Sequence, residues 1–129
     1  MNSMDASTKR TAGFSLVEVL AVVAVLGLLA AIAIPQFITY RKRGFESQVK
    51  EDLRNAAAAQ ESYFADQQAY ISGALTSGTP PGYNRSAPIT ITAAAAGVAF
   101  TLTAAHVNCG SVSWSYSYTN GTISGGPCP

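Results

Sequence analysis

Acidic side chains run out halfway along this chain. No aspartate or glutamate follows Asp66, and from Gln67 to the end the one charged residue is Arg85. Histidine is single, His106, and there are two cysteines. Each scarcity excludes a class of function. Without a carboxylate or a second histidine near His106 there is no acid–base pair and no nucleophile with a base, so no catalytic residue is assigned. His106, between Ala105 and Val107 at a strand end, reads as a surface or hydrogen-bonded structural histidine. A calcium site needs several hard oxygen ligands, which the C-terminal half does not supply, and no metal or cofactor site is assigned. Eight basic against seven acidic groups give a net charge of +1. A module that binds single-stranded nucleic acid wants a basic stripe with aromatic platforms, and the distal half offers Arg85 near Tyr83.

What the chain does have is apolar length. GFSLVEVLAVVAVLGLLAAIAIPQF, Gly13 to Phe37, is almost wholly hydrophobic, and Phe14 to Ile34 contains two polar residues, Ser15 and Glu18. As a helix these residues rise roughly 30 Å, the thickness of a bilayer's hydrocarbon core. A soluble core helix would show a polar stripe at 3.6-residue spacing, and this run shows none after Glu18. A secretory signal peptide is the rival reading, since Lys9 and Arg10 precede the run. The run is longer than the usual h-region, however, and Ala33-Ile34-Pro35 is a poor cleavage site before a long helical sequence.

From Arg41 to Asp66 the chain is charged and helical in pattern. Phe45, Val49, Leu53, Ala56, Gln60, Phe64 and Gln67 recur at steps of three and four, with Glu46 to Lys50 and Glu51 to Arg54 or Asn55 as supporting pairs. The pattern predicts one helix from about Phe14 to about Ala69, locally weak at Gly27, Pro35 and Gly44, with a kink or an unwinding stretch between Gly27 and Pro35. The aromatic residues along it, Phe37, Tyr40, Phe45, Tyr63, Phe64 and Tyr70, read as core packing rather than as a conducting path.

Beyond Ile71, SGALTSGTPPGYNRSAP is a turn-rich connector. Three runs then alternate apolar and hydroxyl residues: Ile89, Ile91 and Ala93; Val98, Phe100, Leu102 and Ala104; Val112, Trp114, Tyr116 and Tyr118. Period two predicts strands with one apolar face. The first turn is placed in Ala94 to Gly97, and Asn120-Gly121 predicts a type I′ hairpin. The fold class is therefore α+β: a long helix whose C-terminal half covers an antiparallel sheet of three or four strands. Cys109 and Cys128 flank the last hairpin. Paired, they close a loop of about 20 residues and constrain the unfolded chain by roughly 3 kcal/mol; two free buried thiols is the other reading. A disulfide would place this half outside the cytoplasm. Two Asn-x-Ser/Thr patterns, at Asn84 and Asn120, read as unoccupied.

Gly13 followed by Phe14-Ser15-Leu16-Val17-Glu18, the unbroken apolar run and Ile34-Pro35-Gln36-Phe37 resemble the class III signal sequence of a bacterial type IV prepilin. Asp52-Leu53-Arg54-Asn55 and Ser62-Tyr63-Phe64-Ala65-Asp66 extend the likeness more loosely, and the helix, loop, sheet and C-terminal disulfide resemble the pilin layout. The resemblance implies that a membrane prepilin peptidase cuts between Gly13 and Phe14 and that the new Phe14 amino group is methylated. It implies an inner-membrane precursor with a cytoplasmic leader and a periplasmic C-terminal half. An assembly platform driven by an ATPase would then extract the helix into a helical homopolymer, the extracellular pilus, whose use, in adhesion, twitching motility, DNA uptake or otherwise, the sequence leaves open. The expected organisation is leader 1–13, filament-core helix 14–37, amphipathic helix 38–71, loop 72–88 and sheet 89–129.

An unpaired carboxylate in lipid costs about 2.5–3.5 kcal/mol, so Glu18 needs a cation. The available one is the Phe14 amino terminus, on its own or a neighbouring subunit, which would set the register of each incoming subunit; a carboxylate snorkelling to the interface is the plainer reading. The resemblance also implies that the Gly27 to Pro35 stretch, before this proline, can lose helicity in a filament. One observation points the other way: Arg41-Lys42-Arg43 outnumber Lys9 and Arg10, and positive-inside counting favours a cytoplasmic C-terminus. The motif and the disulfide candidate favour the opposite orientation. Two related identities remain beside the pilus subunit. A type II secretion pseudopilin shares the Gly-Phe-Glu signature, but that family typically binds calcium through acidic residues missing here. A DNA-uptake minor pilin would want more basic charge.

Overall fold

The structure, a computed structural model, describes residues 13–129; residues 1–12 of the expected leader, with Lys9 and Arg10, lie outside the described residues. By contacts the chain divides into two units, Met1–Phe37 and Ile38–Pro129, and helix α1 contributes to both.

Helix α1 runs Leu16–Gln67 without a break in its assignment at Gly27, Pro35 or Gly44. Glu18, in its first turn, stands among open backbone N–H groups, where a negative charge is favoured. The helix stops two residues short of the expected end. Gln68 takes the left-handed conformation, φ 53°, and its N–H bonds the Phe64 carbonyl at 2.8 Å. That is a C-terminal cap usually built on glycine. Here the Gln68 side-chain amide also turns back on the Phe64 and Ala65 carbonyls at 3.2 and 3.4 Å, adding donors at the helix end.

Five strands follow: β1 Gly73–Leu75, β2 Ile89–Ala96, β3 Ala99–His106, β4 Ser113–Ser117 and β5 Thr122–Gly125, with a short 3-10 turn at Val107–Cys109 between β3 and β4. They form one antiparallel meander in the order of the sequence. The expected three or four strands are thus five. The extra one, β1, lies in the stretch expected to be loop, because three residues are too few to show a period of two. Leu75 is nevertheless buried.

The other strands carry the alternation read from the sequence. Ile89, Ile91, Ala93, Phe100, Leu102, Ala104 and Trp114 are buried while the intervening threonines are exposed. Size alternates across the sheet as well as along it. One row reads Leu75, Ile91, Ala104, Trp114, Gly125, so alanine and glycine make room on either side of the indole. Gly125, at φ 112°, has no alternative: a Cβ there would collide with the Ser113 carbonyl. Val49, Leu53, Ala56 and Ala57 of α1 complete the core on the sheet's apolar face.

Two turns differ from expectation. Strand β2 continues to Ala96, and Gly97-Val98 alone make the turn, with φ positive at Gly97 and not at Val98, the type II′ pattern. Val98 is therefore a turn residue, 74% exposed. The Asn120-Gly121 hairpin closes through four residues, not by a type I′ turn. Gly121 has positive φ but Asn120 does not. The Asn120 side chain instead accepts from the N–H and hydroxyl of Thr122, at 3.2 and 2.8 Å, and the Gly121 N–H reaches the Ser117 carbonyl at 2.9 Å.

Candidate functional site

In the N-terminal unit every described residue, Gly13 to Phe37, is exposed. Gly13, Phe14 and Ser15 precede the helix in non-helical conformation, and Phe14 is 82% exposed. An accessible bond outside regular structure is what a peptidase needs, and the Gly13–Phe14 bond meets that condition. Glu18 follows four residues after Phe14, a distance of about one helical turn. Among the described residues it has no ion-pair partner. Around it Leu16, Val17, Val19, Leu20, Val22 and Val23 are all at least half exposed, an apolar surface on every side of the helix. A helix apolar all round is one that a membrane or a bundle of its own kind must cover. Gly27 and Pro35 lie within this surface; a Cβ on Gly27 would meet nothing within 4 Å.

The residues from Ile38 onward are built in the opposite way, with apolar groups turned inward and polar clasps holding the loops. Asp52 is buried and accepts from both donors of Ser86, N–H and hydroxyl, each at 2.9 Å. Both of its carboxylate oxygens are thereby occupied within the chain. The connector also clasps itself: the Ser77 hydroxyl donates to Asn84 Oδ1 and accepts from the Arg85 N–H, and Arg85 donates to the Ile89 carbonyl. Tyr83 is buried beneath it. Loss of hydration, with the Asp52 charge nearby and Arg85 partly offsetting it, pushes its hydroxyl up to about 12.

Gln60, placed on the apolar stripe by its spacing, is wholly buried and acts as a short piece of strand. Its amide donates to the Ile71 carbonyl at 2.7 Å and accepts from the Ile71 N–H at 3.0 Å. Both backbone groups entering β1 are thereby satisfied. Cys109 and Cys128 are joined as a disulfide. Glu46 adds a second anchor at this end. It accepts from the Cys128 N–H at 2.8 Å while lying 3.9 Å from Lys50, the expected helix pair. His106 is buried rather than exposed. It stacks on Phe45 with ring centroids 4.5 Å apart, and its Nδ1 accepts from the Asn108 N–H. Phe64, Tyr70 and Phe100 pack in sequence at 4.5 and 4.7 Å, so these aromatics join the helix to the sheet.

Sequence reasoning missed Asp52 and the tasks of Gln60 and Glu46. Nothing local could have found Asp52, because its partner stands 34 residues away in a loop.

Comparison with known proteins agrees with this arrangement. Residues 8–34 match the family model of the prokaryotic N-terminal methylation motif. The chain is 42% identical over 72 residues, 56% of its length, to the type IV major pilin protein PilA of Myxococcus xanthus, and covers 33% of that protein. It is 40% identical over 60 residues to the type IV wide pilus major component PilA4 of Thermus thermophilus, 46% of each chain. It is also 36% identical over 64 residues to the type II secretion system core protein G of Pseudomonas aeruginosa, 50% of this chain and 45% of that one. The chain thus spans between a third and a half of the length of these relatives. It carries the prokaryotic N-terminal methylation motif, has the helix-and-sheet α+β fold of the type IV pilins, and is similar over about half its length to their major subunits.

Proposed function

We propose that this chain is the structural subunit of an extracellular type IV pilus, without enzymatic activity, which polymerises through its apolar N-terminal helix. The observation that carries the reading is the contrast between the two units. The helix from Leu16 to Phe37 exposes apolar side chains on every side behind a Gly13–Phe14 bond outside regular structure, while the residues from Ile38 onward bury theirs around their own core. A chain so divided is incomplete until other helices cover the first part.

The steps follow from the chemistry. Cleavage after Gly13 by a prepilin peptidase frees the Phe14 amine, methylation keeps it cationic, and Glu18 one turn on supplies the opposite charge. Before assembly the helix resides in the inner membrane with the sheet on the periplasmic side. An ATPase-driven platform then moves it into the filament, where Glu18 takes the Phe14 amine of a neighbour. A charge pair inside an apolar bundle fixes axial position because any other register leaves a buried charge unpaired. Gly27 and Pro35 are the points where the helix would yield during packing.

Glu18→Ala tests the role. The variant is expected to be cut normally after Gly13, yet to give about tenfold less sheared filament or lower, as befits losing a charge-assisted bond. Normal filament yield would remove Glu18 from the mechanism. The similarity to core protein G keeps a secretion pseudopilin as the second reading. That subunit would be processed at the same bond and yet stay with the membrane fraction.

A further inference from the structure

Arg41, Lys42 and Arg43 follow the apolar run on α1. Of the acidic residues next along the helix, Glu46 binds the Cys128 N–H and neighbours Lys50, and Asp52 is buried on Ser86, while Glu51 is exposed. Among the described residues none of the three cations is within ion-pair reach of a carboxylate. Arg41 lies over the Phe45 ring at 5.4 Å and Arg43 over the Tyr40 ring at 5.8 Å, and both guanidinium residues are exposed.

Their spacing decides between two kinds of partner. Consecutive residues on a helix step by about 100°, so three of them cover roughly 200° of its circumference. A bridge to one neighbouring subunit would need cations on a single face. A broad arc of long, flexible cations just beyond a membrane-length apolar run suits phosphates lying in a layer around the helix. Tyr40, 65% exposed in the turn before them, has the amphipathic ring found at that depth. The arc also gives the positive-inside conflict a physical meaning: on the translocated side these charges are costly to carry across, but once there they hold the headgroups.

We infer that Arg41, Lys42 and Arg43 form a collar for anionic phospholipid headgroups, which retains the membrane-stage subunit at the bilayer surface and is stripped as it leaves for the filament. The inference rests on the membrane stage of the proposed function. Extraction would then become harder as the anionic lipid fraction rises.

The test uses the full chain reconstituted in phosphatidylcholine vesicles containing phosphatidylglycerol, with spin-labelled forms of each lipid as probes. Amide exchange over residues 16–37 reports insertion separately. The chain should prefer phosphatidylglycerol by about fivefold, the weight of one cation near an anionic surface. The preference should fall by half or more in R41Q/K42Q/R43Q and in high salt, and should persist in R41K/R43K. A helix that exchanges freely overturns the membrane stage and the collar together. A protected helix with equal affinity for the two lipids overturns the collar alone. So does a preference unchanged in the glutamine variant, and if that variant also assembles poorly the cations belong to a contact between subunits.

Discussion

Asp52 shows how much of this molecule depends on single polar residues. A buried carboxylate is costly unless its oxygens are filled, and both are filled by Ser86. Asp52→Ala is expected to leave the Ser86 N–H without its partner and to destabilise the folded part by about 2–3 kcal/mol, read from the urea midpoint. Asp52→Asn, which keeps one acceptor, should cost less. A midpoint unmoved in the alanine variant would mean that the connector is held by Tyr83 and its own clasps alone. Gln60 is the related case. Its position was readable from the three-and-four spacing, but its pairing with Ile71 was not, since amide-to-backbone bonds across a chain reversal leave no periodic trace. Glu18 was readable for the opposite reason: a single carboxylate in a membrane-length apolar run stands out by composition.

At the scale of elements, period carried the reading. The helix shows a uniform apolar run followed by a stripe, and Val49, Leu53, Ala56 and Gln60 are buried as that stripe requires. Strands β2, β3 and β4 alternate over five or more residues and were visible. Strand β1, with three residues, was not, and the turns shifted because their geometry depends on register as well as on the Asn-Gly or Gly residues that mark them. The cysteine pair was open between a disulfide and two thiols; the fold brings the two together across 19 residues of sequence. Replacing both by alanine is expected to cost about 3 kcal/mol, seen as a lower thermal midpoint. A cost near zero would assign the fastening of the C-terminal segment to Glu46 and the Cys128 N–H.

The whole molecule is two designs on one chain. Residues from Ile38 to Pro129 bury their own core, whereas every residue from Gly13 to Phe37 is exposed, and in the proposed function lipid or copies of the same helix cover them. In the proposed function, cleavage after Gly13 would join the two states, because it would create the cation for Glu18. The most direct test is the intact mass and N-terminal sequence of the chain in material sheared from cells, compared with the membrane fraction. The account predicts that the sheared chain begins at methylated Phe14 and that its mass shows Cys109 and Cys128 oxidised. An uncut chain beginning at Met1, or a processed chain confined to the membrane, would contradict it.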